Sequence, residues 1–144
     1  MPKDLFEPFL AWRRSVVASL AEELQESVQR TSTDLRPLVS FNATSREMAG
    51  IDVKRIADIT GGVLMPGYLP DGKALRKPLS DVQTLAGKND VIVGFQVGIP
   101  GSGGKEEFLS RMKVARDMDI RDFNFYNYGL MHLRNLEWIK EGLA

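Results

Sequence analysis

The chain has 144 residues, enough for one ordinary domain with a real core, and its 43% hydrophobic and 26% charged residues fall in the globular range. Its 19 Lys plus Arg balance 19 Asp plus Glu, so there is no basic excess to hold a phosphodiester backbone and nucleic acid is not an expected partner. The absence of cysteine rules out disulfides, thiolate metal sites and a cysteine nucleophile, and with a single histidine any metal site would rest on oxygen ligands. The stretch MPKDLFEPF has no apolar segment of signal-peptide length, and no window approaches the ~20 apolar residues of a membrane helix. The expectation is a cytoplasmic protein, not associated with a membrane, with neither metal nor cofactor.

Phe9, Trp12, Val16, Leu20, Leu24 and Val28 recur at steps of three and four, which predicts a long first helix to about Arg30 with this set as its apolar stripe. Pro8 suits the first turn, where its missing N–H has no intrahelical acceptor to lose, and Glu7 adds favourable charge there. LVSFN at 38–42 reads as a strand, and Asp52 as the N-cap of a helix over 52–59 that Gly61 and Gly62 close. GVLMPGY at 62–68 reads as a second strand, with Pro66 near its end where a lost ladder donor matters least. A short helix over 78–86 stops at Gly87, and VIVGFQV at 91–97 is the clearest strand. A glycine-rich loop leads to a helix over 105–118 with Phe108, Met112 and Ala115 on its inner stripe. DFNFY at 122–126 alternates Phe123 and Phe125 with Asn124 and Tyr126, a strand between two unlike environments. Leu130, Leu133, Leu136, Trp138 and Ile139 mark a closing helix that takes in His132.

A helix followed by four strand–helix pairs implies parallel pairing, in one α(βα)4 domain over residues 1–144. Ser40, Asn42, Leu64, Tyr68, Ile92, Gly94, Gln96, Asn124 and Tyr126 take the strand face away from the helices, with the polar members towards the carboxyl ends. A doubly covered parallel sheet shows near-continuous aliphatic strands instead. The mixture suits the lumen of a (β/α)8 TIM barrel, packed at the bottom and carrying its site at the top, and four units are half of one. An open flavodoxin-like sheet is the alternative.

LFEPFLAWRRSVV, GIDVKRIADI and FNFYNYGLMHLRNLEWI together resemble the C-terminal half of bacterial glycoside-hydrolase-like (β/α)8 barrel proteins. The most specific parts are the Trp12-Arg13 pair and FYNYGL. The resemblance implies that these strands correspond to the fifth through eighth of a barrel and that any glycosidase activity would require the other half.

Glycoside hydrolysis ordinarily takes two carboxyl groups flanking the scissile bond. The strand ends here carry Asn42, Tyr68, Gln96 and Tyr126, none of them an acid, while Glu7, Glu47 and Asp71 lie elsewhere with no spacing that pairs them. Asn42, Tyr68, Gln96, Asn124, Tyr126 and Tyr128 form the candidate binding set. Phenol rings lie against the apolar face of a sugar while amides bond its hydroxyls; a wet, hydrogen-bonded barrel interior is the plainer reading of the same residues. The loop before Lys105 offers a weaker phosphate site at Gly101, Gly103 and Gly104, although Glu106 stands where a P-loop has Ser or Thr. The expected function is a carbohydrate-binding barrel fragment, not catalytic alone. The alternative is a non-catalytic assembly module, and the expected partners are a saccharide and either a second copy closing the barrel as a homodimer or a separate N-terminal half.

Overall fold

The computed structural model describes residues 2–32, 34–98 and 103–144. Among them, α1 (Lys3–Thr31) is followed by β1 (Val39–Ser40), α2 (Val53–Thr60), β2 (Gly62–Pro66), α3 (Gly72–Ala86), β3 (Asp90–Gln96), α4 (Lys105–Asp117), β4 (Phe123–Tyr126) and, after a 3-10 turn over Leu133–Asn135, α5 (Leu136–Leu143). The four strands form one parallel sheet in the order β1-β2-β3-β4. With right-handed crossovers this order carries α2, α3 and α4 to a single face. It is the winding of consecutive barrel units, whereas a flavodoxin-like sheet turns back after its first strand.

The local signals act as the residues dictate. The Asp52 carboxylate accepts a hydrogen bond from the Arg55 N–H at 3.1 Å, and Gly61 closes α2 in the left-handed region at φ 73°. Just before Gly61, the buried Thr60 hydroxyl lies 2.9 Å from the Ile56 carbonyl and 2.7 Å from that of Gly62, tying the end of α2 to the start of β2. Against the helix face of the sheet, Val63, Met65, Val93 and Phe95 meet Ile56, Leu75, Leu79 and Met112, all essentially buried, and each such side chain contributes about 1.5–3 kcal/mol of transfer free energy.

Four expectations are corrected. Helix α1 begins at Lys3, so Pro8 lies inside the helix rather than in its first turn. Helix α3 begins at Gly72 rather than at Pro78, because Asp71 caps it by accepting from the Ala74 N–H at 2.8 Å; Pro78 sits inside the helix. The closing helix starts only at Leu136, so His132 lies in the segment before the 3-10 turn. In α1, the side chains that pack are Leu10, Ala18 and Ala21, while Trp12, Val16, Leu20 and Leu24 are exposed. At 3.6 residues per turn each step of four advances about 40°, so the latter set winds off the face that meets α2. Small residues win that face because the helix lies close to its neighbours: a Cβ on Gly50 would come within 2.9 Å of the Arg13 backbone carbonyl. Helix α1 thus packs beside α2, joined also by an Arg55–Glu22 ion pair at 3.1 Å, and leaves the far face of the sheet open.

Helices α3 and α4 approach closely at Gly72, whose N–H donates to the Ser110 hydroxyl at 3.2 Å and whose missing Cβ would collide with the Ser110 carbonyl. Gly72→Ala should therefore destabilise by about 1–3 kcal/mol through overpacking, and Asp71→Ala by about 1 kcal/mol through loss of the cap. Urea unfolding of both variants measures these losses, and a Gly72→Ala protein as stable as its parent would contradict the close approach.

Candidate functional site

Parallel pairing puts register partners on the same face, so the open side of the sheet is built in layers. Gly62 and Asp90 make the lowest, Ser40, Leu64 and Ile92 the next, Pro66, Gly94 and Asn124 the one above, and Gln96 with Tyr126 the one at the carboxyl ends. A hydrogen bond from the Gly67 N–H to the Gly94 carbonyl, 2.6 Å, prolongs the β2–β3 ladder past Pro66 and brings Tyr68 into the top layer. There the rings of Tyr68 and Tyr126 lie 6.4 Å apart at 40°, each a little under half exposed. Asp90, at the amino end, is an acid in these layers and is paired with Arg36 at 2.8 Å; the layers above it hold none.

Tyr68, Gln96, Asn124 and Tyr126 are thus brought together on one surface. Asn42 stands just past β1, where its Oδ1 accepts from the Thr44 N–H at 2.9 Å and hydroxyl at 2.7 Å, and it shares a small hollow with Tyr68. Tyr128 is set apart: the Asn127 Oδ1 accepts from the Gly129 N–H at 2.8 Å, and the turn so formed leaves Tyr128 outside the strand and well exposed.

A cavity of about 400 Å3 opens beside this surface, lined by Tyr68, Leu69, Pro70, Gln96, Gly103, Glu107 and Arg111. Arg111 is buried and donates to the Leu69 carbonyl at 2.7 Å and the Pro70 carbonyl at 3.2 Å, which pins the loop that carries Tyr68. Burial pushes the guanidinium pKa down, while the charges of Glu107 and Asp71 oppose that shift. The Tyr68 phenol is held above its ordinary range, first by desolvation and then by the neighbouring Tyr126. Arg111 and Glu107 were not among the sequence candidates. The signal for Arg111 was its place between Phe108, Met112 and Ala115, a charge on an apolar stripe; Glu107 reaches the cavity only because α4 starts at Lys105.

Of the phosphate candidates, Gly101 lies outside the described residues. Gly103 and Gly104 precede α4, and the Gly104 N–H already donates to the Glu107 carboxylate at 2.9 Å. Glu106 and Glu107 in the first turn also place negative charge where an anion would sit. Among the earlier acids, Asp71 is occupied as a cap, Glu7 lies on α1 3.9 Å from Arg14, and Glu47 borders a separate depression with Lys77 and Asp81. Beyond β3, Gly98 adopts φ 63°, and a side chain there would collide with the amide of buried Asn135, so this pair seats the 3-10 turn against the strand end.

No group of three or more His, Cys, Asp or Glu side chains is placed to hold a metal among the described residues, and none of their helices is long and apolar enough to cross a membrane. No family model, curated protein or solved structure matches this chain.

Proposed function

We propose that the chain is a glycoside-hydrolase-like half-barrel that binds a neutral saccharide on its open sheet face and does not hydrolyse it alone. The observation that carries the reading is the Tyr68–Tyr126 pair, rings 6.4 Å apart and partly exposed, on the same surface as the amides of Gln96 and Asn124. Two tilted phenol rings offer stacking surface for the C–H face of a pyranose, and the amides present both donors and acceptors to its hydroxyls without any charge. The adjacent cavity of about 400 Å3 has the size of a small-ligand site. Glu107 is a carboxylate at that cavity, engaged with a backbone N–H, and a glycosidase mechanism of the usual kind takes two.

Three outcomes test this reading. Titration with neutral oligosaccharides, read by tyrosine fluorescence, should show binding that is nearly the same at low and high ionic strength, because stacking on phenol rings and hydrogen bonds to amides involve no ion pair between protein and ligand to be screened. Tyr68→Ala and Tyr126→Ala should each cost about 1 kcal/mol, roughly a fivefold weaker association. Binding confined to sugar phosphates and lost with added salt would defeat it.

Aryl glycosides should remain unhydrolysed by the purified chain. Sustained turnover that disappears in Glu107→Gln would instead assign a catalytic acid.

Alkaline titration by absorbance should find Tyr68 ionising above an ordinary tyrosine, in keeping with its raised pKa. The folded chain favours the neutral phenol, so this contribution to stability is complete below the unfolded value of about 10 and is lost as pH rises through the folded one. A Tyr68→Phe difference spectrum that titrates at or below the ordinary value would contradict the desolvated environment.

A further inference from the structure

We propose that two copies of this chain close on one another about a twofold axis parallel to the strands, with the exposed apolar stripe of α1 in each copy covering the open flank of β4 in the other. The inference does not rest on saccharide binding. Three features of the fold lead to it.

The first is the pair of edges. β1 and β4 terminate a sheet in which every strand runs the same way, so the backbone groups on their outer sides have no partner within the sheet. Rotation about an axis along the strands preserves their direction. Each β1 then meets the other copy's β4 in parallel at both seams, giving eight strands, the number at which side chains fill a barrel interior. Leu64 and Ile92, only part-buried in the single chain, become an apolar layer of that interior, above Gly62 and Asp90 at its amino end.

The second is the stripe. Leu5, Trp12, Val16, Leu20 and Leu24 are 53%, 61%, 48%, 55% and 48% exposed, although they lie on a helix whose adjoining face is packed. Together they leave on the order of 500 Å2 in water, comparable to the largest apolar patch of a typical monomer, and such patches are often functional. Covering one stripe at each of two seams, with matching area on the opposite copy, buries roughly 2,000 Å2, which is within reach of a stable dimer.

The third is the place that the stripe would fill. Phe123 and Phe125 point to the helix side of β4 but are only part-buried, because α5 packs mainly against α4, where Gly142 lets it approach Met112. The outer side of β4 beyond α4 is therefore open, at the position where the helix preceding the next strand sits in a barrel. In the closed pair that next strand is the other copy's β1, and the helix preceding it is the other copy's α1.

Light scattering and sedimentation at tens of micromolar should give a particle of twice the 16.1 kDa chain mass, which dissociates on dilution without larger species. A monomer at that concentration, or an open-ended series of assemblies, overturns the closed pair. Trp12→Glu and Leu20→Glu change exposed side chains, so circular dichroism should be retained while the dimer is lost; a folded variant that remains dimeric overturns the role of α1. Hydrogen exchange on the unaltered protein gives an independent reading should a variant misfold. Outward-facing amides of β4 should exchange at least tenfold more slowly where the dimer is populated than at high dilution, and equal rates overturn the pairing of edges.

Discussion

The aromatic contact at the centre of the helix layer holds the chain together. Phe108 of α4 meets Phe95 of β3 edge-to-face, ring centroids 6.0 Å apart at 83°, and also lies 6.3 Å from Phe125 of β4 and 6.5 Å from Trp138 of α5. One side chain therefore joins two strands and two helices. Such ring pairs contribute about 0.5–1.5 kcal/mol each beyond the area they bury, and here they also fix where α4 begins relative to the sheet. That position decides where Glu107 and Arg111 fall, and with them the wall of the cavity next to Tyr68.

Because all of this packing lies on one side, the two faces of the sheet have opposite fates. The helix side is a dry core of Val63, Met65, Val93 and Phe95. The other side keeps tyrosines and amides in contact with water at the carboxyl ends and part-buried Leu64 and Ile92 below. Polar groups buried without partners cost free energy, so a face carrying Asn124 and Gln96 can persist only where water, a ligand or another polypeptide satisfies them. The open side that makes the sheet a candidate binding surface is thus the same feature that leaves its edges unpaired.

Much of the local architecture was legible in the residues because it depends on short-range physics. Asp52 and Gly61 bracket α2 through a carboxylate over exposed N–H groups and a left-handed turn, both set within four residues of the helix ends. Alternation in DFNFY gave the two faces of β4, and Tyr68, Gln96, Asn124 and Tyr126 meet because parallel pairing preserves that alternation from strand to strand. The start of α3 lies ahead of the expected Pro78 for a reason equally local: the capping carboxylate of Asp71 lies seven residues earlier, and a helix can carry a proline at the cost of one backbone bond.

What the sequence by itself determined is the set of elements, their order and which residues of each strand share a face, since periodicity, caps and breakers act over a few residues. Tertiary structure alone decided which side of α1 is buried. Its composition offers two adjoining apolar surfaces, and only the close approach to α2 selects Leu10, Ala18 and Ala21 over Trp12, Val16 and Leu20. It likewise decided that Arg111 would hold the Tyr68 loop and that Asn135 would lie against Gly98, contacts that join residues more than thirty positions apart. No local pattern encodes such pairs, because they exist only once the sheet has set the distance between elements.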